Sequence, residues 1–210
     1  VINKFKAEKA KPKDKQKRGV RSNLLALDAL MGPYECGQVT FIAARTSVGK
    51  TAMLTSQVAD WVENTEYVGH VATLEMSRYE LSERILCAGA NVDLTRFRNG
   101  WCGDEEIARM AAWRTDGNVA KKLFIDDGAE RTVAEILAMA RRTRRIAGRL
   151  DYVAIDYLQL IQGDGDRWAK RHEEVSRISR AIKIASRELD VPFIVLCQLN
   201  REAADGRPRL

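Results

Sequence analysis

The sequence predicts an α/β fold, a central, mostly parallel sheet flanked by helices. Three observations lead there. Strand-like and helix-like runs alternate from Ser22 to a last apolar run, Pro192–Leu196. The strand-like runs are continuously apolar, as strands buried on both faces of a parallel sheet are. One of them passes into a helical run through Arg45-Thr46-Ser47-Val48-Gly49, a strand–turn–helix junction of the kind that cradles anions.

The elements follow in order. Ser22 is placed to cap a short helix, Asn23–Met31, which Gly32-Pro33 stops. Gln38–Ala44 has strand composition, and Lys50–Glu63 reads as a helix. Val68–Leu74 is the next strand. Ser77 and Glu80 have capping-box spacing and open a helix to about Ala90. Residues 104–115 are helical, and Leu123–Ile125 is a short strand. Thr132 and Glu135 make a second capping box, for a helix to about Ile146. Tyr152–Ile155 is a strand, Glu173–Leu189 a long helix and Pro192–Leu196 the closing strand.

Composition excludes several classes. The chain has 210 residues, 45% hydrophobic and 30% charged, enough apolar material for a sizeable core. No run of about 18 apolar residues occurs, so no spanning helix is expected. The opening VINKFKAEKAKPK has no apolar segment of the secretory kind. The four cysteines, Cys36, Cys87, Cys102 and Cys197, form no CxxC pair and have only His70 and His172 for company. A disulfide framework or a zinc site is not expected, and a reducing cytosol fits. The net charge of +6 is local. Residues 1–21 hold nine Lys/Arg against two acids, a net +7, leaving 26 basic against 27 acidic residues, a net −1. Residues 1–18 therefore read as a basic linker or arm, either a flexible connector or a nucleic-acid-binding tail. Residues 19–210 are the folded body.

The chemistry falls at the carboxyl ends of the strands. Ala44-Arg45-Thr46-Ser47-Val48-Gly49-Lys50-Thr51 follows a strand and opens a helix, as a phosphate-binding loop requires. Its backbone N–H groups would wrap phosphates, Lys50 would face their charge, and Thr51 would offer a hydroxyl to Mg²⁺. Gly49 permits close approach of the backbone. The first position is Ala44 rather than Gly, which would be strained if that position needed positive φ. Asp156 ends an apolar strand and is the candidate acid that orients Mg²⁺. Glu75 ends another strand; it is either a carboxylate drawn to a helix start or the group that orients water. Gln198 follows the last strand, either as a polar residue at the sheet margin or as a sensor of the terminal phosphate.

Together these blocks resemble the C-terminal motor domain of DnaB-type replicative DNA helicases, whose fold is RecA-like. The matching segments are FIAARTSVGKT (41–51), TLEMSRYEL (73–81), ERILCAGANVDLTRFRNG (83–100), LFIDD (123–127), TVAEILAMARR (132–142), DYVAIDYLQLI (151–161), EEVSRISRAIKIASRELDVPFIVLCQLNR (173–201) and RPRL (207–210). The family's loop is similar to AARxSxGKT, so Ala44 agrees with it, while Thr46 stands where Pro is expected.

The resemblance implies ATP and Mg²⁺ as ligands. It makes Ala44, Arg45, Thr46, Ser47, Val48, Gly49, Lys50 and Thr51 the nucleotide loop. It also makes Glu75 the catalytic carboxylate, Asp156 with Thr51 the metal site, and Gln198 the phosphate sensor. It implies 5′-to-3′ translocation on single-stranded DNA by a ring, expected to be a hexamer, that uses an arginine finger from a neighbour. Primase and a helicase loader are the expected partners, in a bacterial cytosol or a phage replisome. Family members continue beyond the RPRL block, so the chain is expected to lack part of the motor at that end. The alternatives are a nucleotide-binding clamp or assembly factor that does not unwind, and a RecA-like recombinase or regulator.

Two basic segments remain. Arg167, Trp168, Lys170 and Arg171 follow the Asp156 strand in a glycine-containing stretch. They read either as phosphate and base contacts in a ring channel or as a solvated loop. The run Arg141, Arg142, Arg144, Arg145 and Arg149 reads as a solvated or subunit-contacting face rather than a DNA site. Trp61, Trp101 and Trp113 are expected as core or interface anchors.

Overall fold

The computed structural model describes residues 19–162 and 171–199. A two-stranded antiparallel hairpin, β1 (Gly19–Val20) with β2 (Tyr34–Glu35), encloses α1 (Leu25–Met31). Then come β3 (Val39–Ala44), α2 (Lys50–Asn64), β4 (Gly69–Thr73), α3 (Arg78–Gly89), α4 (Leu94–Arg98), α5 (Asp104–Asp116) and α6 (Val119–Lys122). The remainder is β5 (Leu123–Asp126), α7 (Val133–Ala147), β6 (Tyr152–Asp156), a 3₁₀ turn at Leu158–Leu160, α8 (Arg171–Leu189) and β7 (Phe193–Gln198).

The five strands β3 to β7 form one sheet in the order β3-β7-β6-β4-β5, every pair parallel. Both faces are apolar because alternate residues of each central strand face different helices. In β6, Tyr152 and Ala154 join a cluster with Leu54, Trp61, Leu81 and Trp113. Val153 and Ile155 join the opposite one, with Ile136, Ala140, Ile182 and Leu189. The strands β4, β6 and most of β7 are buried, as their apolar runs require. The strands β3 and β5 lie at the edges and are only half-buried. Trp61 anchors the first cluster. Its ring meets Tyr152 at 4.5 Å and Tyr34 edge-on at 6.2 Å, and its indole N–H donates to the Arg21 carbonyl at 2.7 Å. The Tyr152 ring lies so close over Gly69 that a Cβ there would fall 1.9 Å from Tyr152 Cζ.

Both capping boxes form, Ser77 with Glu80 and Thr132 with Glu135. Ser22 does not cap in the expected way. Asn23 takes a left-handed φ of 59°, so the helix begins only at Leu25. The Ser22 N–H and hydroxyl instead donate to the Asp28 carboxylate at 2.8 and 2.7 Å. The hairpin and the short helices α4 and α6 were not anticipated, since two to five residues are too few for a periodic pattern. Trp61 and Trp113 are buried, whereas Trp101 is 65% exposed. Among the described residues, no helix is long and apolar enough to cross a membrane.

Candidate functional site

Parallel pairing puts the carboxyl ends of all five strands on one edge. The register sets Ala44 beside Gln198, Thr73 beside Asp156 and Ala72 beside Asp126. The residues singled out in sequence are thus neighbours across the sheet edge, where open α/β sheets bind ligands.

The loop after β3 turns through two left-handed residues, Ser47 at φ 63° and Gly49 at φ 103°. Ala44 is not among the positive-φ residues, and it closes the strand in regular pairing with Gln198. The strain that Ala would suffer is therefore absent; the left-handed positions lie at Ser47 and Gly49 instead. Such turns orient successive N–H groups into a concavity that suits an anion. Helix α2 begins immediately after Gly49, adding its N-terminal N–H groups and positive dipole end. The Lys50 ammonium lies across the loop, donating to the carbonyls of Ala44 (3.1 Å) and Arg45 (3.4 Å).

Thr51 Oγ1 donates to Asp156 Oδ2 at 2.8 Å, joining the loop to the end of β6. Asp156 is 1% exposed, and its Oδ1 has no hydrogen-bond partner among the described residues. Burial pushes its carboxyl above the usual carboxylate range. The Thr51 hydrogen bond opposes this, the Glu75 charge adds to it, and the Lys50 and Arg84 charges oppose it. Burial also raises the Cys197 thiol, to about 11, which keeps it in the neutral form.

Glu75 is exposed on the turn between β4 and α3. That turn is pinned from both sides. The Thr73 hydroxyl donates to the Met76 carbonyl (3.0 Å) and accepts from the Met76 N–H (3.3 Å). One residue after Thr73, the Leu74 N–H donates to the Asp156 carbonyl at 2.7 Å. At the start of α3, Arg78 grips Asp127 from the end of β5, by its backbone N–H at 3.0 Å and by its guanidinium at 2.8 Å. Asp126 is held by Arg131 at 3.0 Å.

Gln198 is clamped by a residue that sequence reasoning missed. Gln159 Nε2 donates to the Gln198 carbonyl (2.8 Å), and the Gln198 N–H donates to Gln159 Oε1 (3.1 Å). The Gln198 amide in turn donates to Thr46 Oγ1 at 2.9 Å. Gln159 stands in the 3₁₀ turn just after β6, a position no spacing rule marks. Arg84, whose charge reaches Asp156 from α3, was missed for the same reason.

The edge thus gathers Lys50, Thr51, Glu75, Asp156 and Gln198. It does not show the expected DNA contacts. Arg167, Trp168 and Lys170 lie outside the described residues, and Arg171 is described only as backbone, opening α8. The basic run on and after α7 is partly consumed internally. Arg141 pairs with Glu188, Arg144 donates to the Leu189 carbonyl, and Arg149 pairs with Asp151 at 2.6 Å.

Comparison with known proteins agrees with this architecture. A family model for the DnaB-like helicase C-terminal domain matches residues 19–210. The replicative DNA helicase DnaB of Leifsonia xyli is 37% identical over 206 residues, 97% of this chain and 44% of the relative. That of Geobacillus stearothermophilus is 35% identical over 202 residues, 94% of this chain and 44% of the relative. The chain therefore spans less than half the length of these relatives. Among solved structures, a DnaB-like replicative helicase studied with regard to its interactions with primase superposes with a TM-score of 0.84 at 28% identity, over all of this chain and 50% of that one. A second solved structure, of an ATPase domain, superposes with a TM-score of 0.83 at 29% identity, over all of this chain and 74% of that one. Sequence and architecture agree, and the chain belongs to the family of DnaB-like helicase C-terminal domains, with their RecA-like fold.

Proposed function

We propose that this chain is the ATP-hydrolysing motor of a replicative DNA helicase, residues 1–18 forming a basic arm and residues 19–210 the motor. The observation that carries the reading is the alignment of the phosphate loop, Asp156, Glu75 and Gln198 along one sheet edge.

Each residue has a role the geometry suits. The left-handed turns at Ser47 and Gly49 and the start of α2 bind the phosphate chain through backbone N–H groups. Lys50 sets its ammonium against the charge that builds as the terminal phosphoryl group leaves. Thr51 and Asp156 would hold Mg²⁺. The donor set fits a hard cation, because both groups offer oxygen and Asp156 Oδ1 is buried without a partner. The ion would neutralise phosphate charge when bound. Glu75, exposed on its pinned turn, orients and polarises the attacking water. Gln198 meets the terminal phosphate, and its clamp to Gln159 conveys that contact to the segment after β6.

The ligand is ATP, and the track is single-stranded DNA, followed 5′ to 3′ by a ring with six subunits in which a neighbour supplies the arginine finger. Arg167, Trp168, Lys170 and Arg171 are the proposed DNA contacts. Primase and a loader are the proposed partners, and the setting is a bacterial cytosol or a phage replisome. The test is strand separation on a forked duplex by the 210-residue chain, with Lys50→Ala as control. ATP-dependent unwinding that is lost in Lys50→Ala supports the motor. ATP binding without unwinding on any fork assigns the chain to a nucleotide-responsive clamp instead.

A further inference from the structure

One hydrogen bond at the loop mouth joins the ends of two strands. Gln198 Nε2 donates to Thr46 Oγ1 at 2.9 Å, from the end of β7 to the loop after β3. The backbone of Gln198 is already fixed, by Gln159 on both its N–H and its carbonyl and by pairing with Ala44. What the Thr46 contact fixes is therefore the side chain.

The donor count then matters. A primary amide carries two N–H hydrogens, and a threonine hydroxyl can accept through a lone pair while keeping its own hydrogen to donate. With Gln198 donating into Thr46, each residue keeps one hydrogen to give: an amide N–H and a hydroxyl O–H, side by side. Thr46 is exposed and Gln198 partly so. The Lys50 ammonium donates to the carbonyls of Ala44, the strand partner of Gln198, and of Arg45, the residue before Thr46, and the left-handed Ser47 follows Thr46. Two neighbouring donors in a cationic, N–H-lined mouth suit a tetrahedral oxyanion. The resemblance puts Pro at position 46, and Pro has no hydroxyl, so this arrangement belongs to this chain.

We propose that the Thr46 hydroxyl is a further ligand for the terminal phosphate of a nucleoside triphosphate. With Gln198 it forms a two-donor rim that distinguishes the triphosphate from the diphosphate. The inference rests on the nucleotide reading above and deepens it.

The test is calorimetric titration of the full 210-residue chain with β,γ-imido-ATP and with ADP, each with Mg²⁺. Thr46→Val keeps the side-chain shape and removes the hydroxyl; Thr46→Ser keeps the hydroxyl. Loss of one hydrogen bond to a charged group predicts that Thr46→Val binds the triphosphate about ten- to a hundredfold more weakly. ADP affinity stays unchanged, and Thr46→Ser behaves as the native chain does. In the double variant with Gln198→Ala the two losses are less than additive, because the residues act as one unit. Undiminished triphosphate affinity in Thr46→Val overturns the proposal. So does an equal loss for both nucleotides, which would mark a change of loop shape. If the native chain binds the triphosphate and Thr46→Val does not discriminate, the rim alone is wrong. If the native chain binds neither nucleotide, the nucleotide reading falls and the rim with it.

Discussion

At the scale of single residues, the site and the core make opposite demands on polar groups. Asp156 is buried with one oxygen unpartnered among the described residues, a cost that the cation proposed for it would offset. His70, in the middle of β4, has no such use. Its Nδ1 contacts Thr143 Oγ1 at 3.0 Å, and burial lowers its pKa to about 4, against the weaker pull of Asp126. The sign of the consequence is fixed. Between pH 6.5 and 4 the unfolded chain binds a proton that the folded chain refuses. The stability tied to neutral His70 is therefore complete above pH 6.5 and declines as pH falls towards 4. From pH 7 to pH 5 the loss is about 2 kcal/mol, at about 1.4 kcal/mol per pH unit below 6.5. Urea unfolding at both pH values reads it, and His70→Asn, which keeps a polar atom for Thr143 and does not titrate, should show a drop smaller by that amount. Equal drops in the two proteins would remove His70 as the cause. The strand–turn–helix junction after Ala44 and the place of Asp156 at a strand end were legible in sequence because residue type and strand context agreed there. Gln159 and Arg84 were not, because their partners are set only when β6, β7 and α3 come together.

Elements were legible where their ends carry chemistry. Ser77-x-x-Glu80 and Thr132-x-x-Glu135 read as helix starts and are helix starts, since a cap is local. Ser22 shows the limit. The same residue type met a left-handed Asn23 and a nearby Asp28, and tertiary geometry took its hydrogen bonds elsewhere. Strand order was not legible either. Nothing local in VTFIAA or LFID says that β3 and β5 sit at the sheet edges, half-exposed. A local cap makes a local prediction. Thr132→Ala removes the hydroxyl that accepts the Glu135 N–H. It should cost about 1 kcal/mol and lower the melting temperature by about 2–4 °C, leaving nucleotide binding intact. Scanning calorimetry with a parallel nucleotide titration checks both parts; an unchanged melting temperature would mean that the box contributes nothing to α7.

For the whole molecule, the fold explains why residues spread from position 44 to position 198 meet. A parallel sheet delivers every strand's carboxyl end to one edge, and its two apolar faces hold that edge rigid between helices. Loops then differ in task. In the proposed function the β3 loop binds phosphate, the β4 turn presents Glu75, and the ends of β6 and β7 carry Asp156 for the metal and Gln198 for the terminal phosphate. In the proposed motor, Glu75 drives ATP hydrolysis at this edge. The most direct test is steady-state ATP hydrolysis by the 210-residue chain, with and without single-stranded DNA, beside Glu75→Gln. DNA-stimulated turnover is expected in the native chain, and in Glu75→Gln retained ATP binding with turnover reduced at least about a hundredfold. Full turnover by Glu75→Gln would remove Glu75 from the hydrolytic step.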